Sequence, residues 1–583
     1  MAKFAPAFFA VPLLLAAMPA NAVEPGAPER LISYEEVIGI KARESFAGLT
    51  DGTKKFWRGA RQSVDKFYAA RDNRPIWINS GKLNERALEI IGEIENASDY
   101  GLARKDFRFP DLPAASEPAS AETLARAEAT LTREVLKYAL YAKGGRIEPT
   151  ELSGFLDRSP VPPDPEEVLS GLTSATDSAA FLRALHPRHP QFEALRQKYL
   201  SLRGDRPSYE DVRIPSGPTL KLGVRHPQVA LLRQRLDTNV LDNHHGVAET
   251  PPELFDNALA DSVRRFQKDR GLKADGIVGS NTRRHLNAKD GDKVQRILVN
   301  MERWRWMPED LGSIYVWANI PEFRVRVVKN DEVIHAERLV AGKVQNQTPI
   351  FSDEMERIEF YPFWNVPDSI KVKEILPSLR RSTRILARQN LKIKYRGRKI
   401  DPASVNWSSV DIRRFHFYQP PGGRNALGFV KFMFPNKHAV YMHDTPSKSL
   451  FGRSIRTFSH GCMRIRNPRR LAEILLAHDK GWSPKRIGNL IAAGEHYPVH
   501  LNQKIPVHVT YFTASVSSSG RLVFRGDFYG HDRRIALALN GKTLRLSHGY
   551  TKPAAERVRT RVATTGNSDV RRSWSQDPFT NRN

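Results

Sequence analysis

The spacing of apolar residues changes at about Ile314, and that change limits the folds open to the chain. Up to about residue 213 the apolar positions recur at helical intervals, as in Ala87, Leu88, Ile90, Ile91 and Ile94 and again in Leu131, Val135, Leu136, Ala139 and Leu140. From Ile314 they alternate, through Ile314-Tyr315-Val316-Trp317-Ala318-Asn319-Ile320, Phe323 to Val328, and Arg338-Leu339-Val340. A helical stripe repeats every 3.6 residues and a strand face every two, so neither pattern can serve in the other's element. The expected class is multidomain α+β, mainly helical first and β-rich later. At 583 residues the chain exceeds one hydrophobic core, and three or four folded units are expected.

Residues 31–213 are expected to form a helical scaffold domain. The aromatic stretch from Phe67 to Trp77 fits its core better than a ligand platform, and Ser159 to Pro165 is too proline-rich for a helix. Residues 217–290 make a small α-helical unit. One stripe is Val229, Leu232 and Leu236; another is Phe255, Leu259, Val263 and Phe266. The turn Asp275-Gly276-Ile277-Val278-Gly279 leads to a helix capped by Ser280 and running to Leu286, with Phe266 and Ile277 expected in the core. Trp304-Arg305-Trp306 reads as a linker packing onto the β-rich domain, which spans 300–540. Within it, 368–413 is basic and reads as a helical insertion, either a lid or a fixed wall. The tail, 541–583, is basic, poor in large apolar residues and expected to be disordered.

Lys3, the apolar run Phe8 to Met18 and Ala20-Asn21-Ala22 read as a signal peptide, residues 1–22, cleaved after Ala22. Pro12 interrupts the run, which is shorter than the ~20 residues that span a bilayer. An exported protein without a stable transmembrane segment, in a periplasm or cell wall, is the expectation. Formal charge is 91 − 64 = +27, which favours a polyanionic neighbour. Nucleic acid accounts for the charge but not for the leader, and is set aside in favour of anionic wall material.

The only cysteine, Cys462, lies in Ser459-His460-Gly461-Cys462-Met463-Arg464. A single cysteine cannot form an internal disulfide, and its glycine and polar neighbours favour a reactive thiol over a core one. A thiol with a pKa near ~8.5 needs a base or a positive field to act as a nucleophile. Lys431 to Phe434 and Ala439 to His443 read as a hairpin around Pro435-Asn436-Lys437, followed by a loop from Asp444 to Phe458. Alternation sets Tyr441 and His443 on one face and Val440 and Met442 on the other, then Cys462 and Arg464 outward with Met463 and Ile465 toward the core. Neighbouring strands could bring the His443 imidazole to the thiol. His460 could hold an oxyanion or shape the loop. Arg464 could grip a carboxylate or serve as surface charge. Asn467 and Pro468 begin a helix with Leu471, Ile474 and Leu475 inside, and Ser483-Pro484 repeats the device. No spacing suggests a metal site.

His443-Asp444-Thr445-Pro446 together with Ser459 to Arg464 resembles the catalytic motif of L,D-transpeptidases with a YkuD-type domain. Gln347-Thr348-Pro349, Trp364-Asn365-Val366-Pro367 and Pro421 to Gly428 are similar to the large multidomain members. The 217–290 unit, with Phe266-Gln267, Gly271-Leu272, Asp275 to Gly279, Thr282 and Leu286-Asn287, resembles a peptidoglycan-binding domain. The resemblance spans most of 35–535. It implies Cys462 as nucleophile and His443 as general base, its ring oriented by a main-chain carbonyl near Asp444. It also implies an oxyanion hole from the N–H groups of Gly461 and Cys462, further donors from Tyr441 and His460, and substrate contacts from Arg464 and Ser459. The implied reaction passes through a thioester. A tetrapeptide donor loses D-alanine, and the diaminopimelate side-chain amine of a second stem accepts the acyl group, giving a 3→3 cross-link without metal or cofactor. Water as acceptor would make an L,D-carboxypeptidase and a protein amine a wall-anchoring enzyme; a non-catalytic wall-binding scaffold is the alternative of another kind. Other cell-wall synthesis proteins are the further partners implied. A papain-like protease would set its cysteine at a helix start, whereas strand alternation follows this one.

Overall fold

A computed structural model describes residues 32–51, 55–112, 119–204, 212–236, 251–269, 272–287 and 290–542. The expected signal peptide and all of the tail beyond 542 lie outside the described residues. The described residues divide into two compact units, one of those up to Leu88 with those in Phe109–Arg133, the other of Glu89–Arg108 with those from Glu134 onward. Among the described residues no helix is long and apolar enough to cross a membrane.

In the first unit, Ser33 and Glu36 form a reciprocal capping box that starts the helix Tyr34–Leu49. The helix Lys55–Ala69 follows, and the stretch after it supplies core, with Tyr68, Ile76 and Trp77 at most 2% exposed. Glu128 is fully buried beneath them. It accepts hydrogen bonds from the Tyr68 hydroxyl and from the N–H groups of Ile76 and Trp77. Burial nevertheless raises its carboxyl to about 7.

The second unit contains the small helical module, with helices Pro227–Arg235, Asn257–Asp269 and Ser280–Leu286 around Val229, Leu232, Phe255, Leu259, Val263, Val278 and Leu286. Buried Gln267 fixes its turn by bonding Asp275, the Ile277 carbonyl, Thr282 and the Gly276 N–H. Ile277, expected inside, is 39% exposed; Val278, bridged to Leu220, takes the core position instead, and Phe266 is only partly buried. A residue flanking a turn has no strand or helix period to set its side, which is why the choice between neighbours was not legible.

Nine strands carry the β-rich region: β1 Ile314–Asn319, β2 Arg324–Lys329, β3 Glu332–Gly342, β4 Phe351–Phe360, β9 Val430–Met433, β10 Met442–His443, β11 Thr457–Ser459, β12 Met463–Ile465 and β13 Tyr497–Thr510. Four more, β5 Trp364–Asn365, β6 Lys392–Tyr395, β7 Arg398–Lys399 and β8 His416–Gln419, belong to the insertion. The large sheet has the order β11-β3-β12-β10-β9-β4-β13-β1-β2, and β3 also pairs with β2, so the ladder runs round a ring. Its interior is lined by Val316, Val325, Leu339, Ile358, Phe360, Val430, Phe432, Met442, Met463, Ile465 and Val507. The helix Pro468–Lys480, capped by Asn467 and stopped by Gly481 at φ +64°, buries Leu471, Leu475 and Leu476 in the same core. Each such leucine contributes about 1.5–3 kcal/mol relative to exposure. Trp304 stacks on Trp317 of β1 at 5.7 Å, which makes the tryptophan pair's segment a packed linker.

The insertion differs from the helical segment expected over 368–413. It has helical turns between Asp368 and Leu379 and at Arg384–Arg388, but also an antiparallel sheet in the order β5-β8-β6-β7. A separate core runs from Val366 to Phe417, through Ile375, Leu379, Ile393 and Trp407. Strands of two to four residues leave too short an alternation to read from sequence.

Candidate active site

Strand register assembles the site. β10 and β12 are parallel neighbours, with Met442 beside Met463 and His443 beside Arg464. Because Met442, Met463 and Ile465 fill the ring interior, Tyr441, His443 and Arg464 must face the other way. Met463 N–H donates to the Tyr441 carbonyl, so Tyr441, one step back along the pair, lies beside Cys462. His443 is therefore a diagonal neighbour of Cys462 and not its direct opposite. Among the described residues no hydrogen bond joins Sγ to the imidazole; Sγ lies 3.9 Å from the Ala439 carbonyl.

The row continues across the sheet. Lys431 of β9 stands opposite His443, and Glu359 of β4 opposite Lys431. Glu359, Lys431, His443 and Arg464 thus form one cross-strand line beside the thiol. Lys431 Nζ lies 4.4 Å from the centre of the Tyr441 ring and 3.9 Å from Glu359 Oε2. Sequence reasoning passed over Lys431, although it sits between inward-facing Val430 and Phe432 and alternation alone sets it on the face of His443.

His443 is 5% exposed, and its Nδ1 faces the carbonyl of Asp444. A carbonyl only accepts, so Nδ1 carries the proton and Nε2 is left with a free lone pair. Burial, then the charge of Arg464, lower this imidazole to about 3. Asp444 is itself clamped: Oδ2 accepts from the Phe429 N–H at 3.1 Å, Oδ1 meets Lys448 Nζ, and its own N–H donates to the Val430 carbonyl at 2.9 Å. Gly428 makes room for that carboxylate. Its φ is +63°, and a Cβ there would stand 2.0 Å from Asp444 Oδ2.

Cys462 is half-buried and follows Gly461 at φ +122°, a conformation that favours glycine. Burial pushes the thiol up; contact with Tyr441 and the charges of Lys431 and Arg464 oppose the shift. Tyr441 is raised as well, first by burial and then by Cys462. Two residues are placed otherwise than expected. The Gly461 N–H, assigned to an oxyanion, donates to Ser459 Oγ at 3.2 Å. Ser459, assigned to substrate, is 2% exposed, and its hydroxyl donates to the Cys462 carbonyl, so it braces the turn. A hydroxyl two or three residues from backbone polar groups closes such turns readily. Cys462 N–H has no protein acceptor at hydrogen-bond distance among the described residues.

The peptide linking Gly461 to Cys462 is fixed from its other end. Fully buried Thr348 donates Oγ1 to the Gly461 carbonyl at 2.7 Å and accepts the Gly342 N–H at 2.9 Å. Tyr529 donates to the Gly342 carbonyl at 2.7 Å and completes the brace. His460 points away from this brace, and its Nε2 lies 2.5 Å from Glu374 Oε1 of the insertion. It ties the cysteine turn to the insertion and is not placed as an oxyanion donor. No local pattern could have revealed that pair, since 86 residues separate its members.

Residues 313–488 match the family model described as "L,D-transpeptidase catalytic domain", residues 225–286 the "Putative peptidoglycan binding domain" and residues 62–198 the "Scaffold domain". A Haemophilus influenzae protein described as a "Putative L,D-transpeptidase" is 31% identical over 252 residues, 43% of this chain and 51% of that protein. The chain thus spans about half the length of that curated relative. Among solved structures, an L,D-transpeptidase of Xylanimonas cellulosilytica is 15% identical, with 51% of this chain and 99% of that one covered at a TM-score of 0.15. One from Stackebrandtia nassauensis is 12% identical, with 51% and 97% covered at 0.18. The chain thus joins a region that matches the YkuD-type L,D-transpeptidase catalytic domain to one that matches a peptidoglycan-binding domain.

Proposed function

We propose that this protein is an exported, cysteine-dependent L,D-transpeptidase that forms 3→3 cross-links between peptidoglycan stem peptides. The observation that carries the reading is the chain's sole cysteine, on a positive-φ turn one strand from a histidine whose tautomer is fixed by the Asp444 carbonyl. A neutral imidazole with Nε2 unprotonated is the form a general base needs. Because burial keeps both thiol and imidazole uncharged at rest, proton transfer accompanies attack in this mechanism.

Sγ bonds to the carbonyl carbon of the stem's third residue as His443 Nε2 takes the thiol proton. The developing oxyanion meets the Cys462 N–H. Collapse breaks the C–N bond; the imidazolium returns its proton to the departing nitrogen of D-alanine, leaving a thioester on Cys462. The side-chain amine of a second stem then attacks that carbonyl, yields a proton to His443, and the sulfur leaves to be reprotonated. Lys431 and Arg464 offset the charge on sulfur whenever it becomes a thiolate. The 225–286 module would hold the enzyme on the wall that supplies both stems, in the periplasm or cell wall.

Incubation of purified protein with tetrapeptide muropeptides, followed by mass spectrometry, tests the reading. Cross-linked dimers lacking one D-alanine are expected. Tripeptide monomers alone would make the enzyme an L,D-carboxypeptidase, and unchanged tetrapeptide would overturn the catalytic assignment.

A further inference from the structure

A cavity of about 260 Å³ opens where the insertion meets the ring of strands, lined by Arg464 two residues beyond the cysteine and by Thr445 two residues beyond His443. Three arginines reach it from different elements: Arg464 on β12, Arg388 at the end of the insertion helix Arg384–Arg388, and Arg424 on the loop after β8. Among the described residues none of the three guanidinium groups has a carboxylate or hydrogen-bond partner. Nε of Arg464 is buried without an acceptor, an unfavourable state for a charged group that a ligand would relieve. The cavity is also pre-shaped. Gln419 donates to the Gln389 carbonyl at 2.6 Å and accepts the Ala426 N–H at 2.7 Å. Asn425 bonds the carbonyls of Pro362 and Pro420, so the loop bearing Arg424 is held in place.

We propose that this cavity binds a carboxylate on the amino acid whose nitrogen departs from, or attacks, the acyl group on Cys462. The inference rests on the transpeptidase reading and names the substrate feature that the reading leaves open. Arg464 follows Cys462 by two residues, or about 6.6 Å of extended chain. In an α-amino acid the carboxylate carbon is separated from the acyl carbon by one nitrogen and one carbon. Arg464 shares a strand face with Cys462, so a carboxylate held there falls within reach of a nitrogen bonded to the acyl carbon. The departing D-alanine has this arrangement, and so does the amine-bearing carbon of diaminopimelate, which also carries a carboxylate. Arginine suits the task because its fork pairs with both carboxylate oxygens.

The test compares the full-length protein with Arg388→Gln and Arg424→Gln, both at exposed positions whose loss leaves the core intact. Tetrapeptide donors with a terminal acid or amide form one arm; acceptors whose amine-adjacent carboxylate is free or amidated form the other. Each substitution is expected to raise KM for the acid form about tenfold, as loss of one charge-assisted hydrogen bond does, while the amide form, poor for the wild type, changes little. Loss of acid-over-amide preference on the donor arm identifies the departing residue as the ligand, and loss on the acceptor arm the entering one. An unchanged preference on both arms would overturn the proposal. If the wild type makes no product at all, the transpeptidase reading fails. The cavity is then judged by calorimetry of acid and amide tetrapeptides on Cys462→Ala, where equal affinities would overturn the carboxylate site.

Discussion

Thr348→Val isolates one hydroxyl that the site depends on. Valine keeps the shape and branching of threonine, so the fully buried position is neither emptied nor overfilled. What disappears is the 2.7 Å bond to the Gly461 carbonyl and the 2.9 Å bond from the Gly342 N–H. Each orphaned buried group costs about 1–3 kcal/mol, so unfolding free energy should fall by about 2–4 kcal/mol after some relaxation. The kinetic effect has a separate origin. The Gly461 carbonyl and the Cys462 N–H belong to one planar peptide, and freeing the first lets the second turn away from the oxyanion. Outright loss of an oxyanion donor costs about 10²–10³ in kcat, and loss of its alignment should cost about 10–100-fold with KM little changed. Urea denaturation and steady-state kinetics on a tetrapeptide donor would measure the two effects. Thr348→Ser, which retains the hydroxyl, should recover kcat to within a few-fold. Wild-type kcat in the valine protein would refute the idea that Thr348 orients the cysteine turn.

Three further outcomes follow from the same structure. Burial holds His443 near 3 and the Cys462 thiol above its ordinary value, so iodoacetamide alkylation of Cys462 should climb about tenfold per pH unit from 6 to 8; a plateau with a midpoint below 7 would indicate a thiolate–imidazolium pair instead. Gly428→Ala, with its Cβ 2.0 Å from Asp444 Oδ2, should lower stability by about 2 kcal/mol or more and slow acylation, because the carboxylate that steadies the His443 support must move; an unshifted melting temperature would count against the clamp. In the first unit, Glu128 has a folded pKa of about 7 against about 4.3 unfolded. The folded state thus keeps a proton that the unfolded state releases. Its contribution is complete below about pH 4 and is lost as pH rises to 7, by up to about 3 kcal/mol. Glu128→Gln should remove that part of the pH dependence in urea titrations, and parallel curves for the two proteins would contradict it.

Much of this was legible because strands enforce a period of two. Once Met463 and Ile465 were read as inward, the outward positions of Cys462 and Arg464 followed, and the same logic set Tyr441 with His443. Helix starts at Asn467-Pro468 and Ser483-Pro484 were legible because caps are local. What failed depended on contacts without a period. Ser459 captures the Gly461 N–H through a turn whose closure is set by three-dimensional fit. The insertion's sheet is built from very short strands, and the arginine cavity gathers positions 388, 424 and 464 from three separate elements. Thr348 stands in the family-like triplet Gln347-Thr348-Pro349, but its task emerges only when β3 and the cysteine turn are brought together.

The central claim is that Cys462 carries the acyl group, and intact-mass analysis of the protein mixed with a tetrapeptide donor tests it most directly. The wild type, sampled within milliseconds and quenched in acid, should gain the mass of the donor less D-alanine, mapped to the peptide containing Cys462. The Cys462→Ala protein should gain nothing and form no cross-links. An adduct elsewhere, or cross-linking that survives the substitution, would contradict the account.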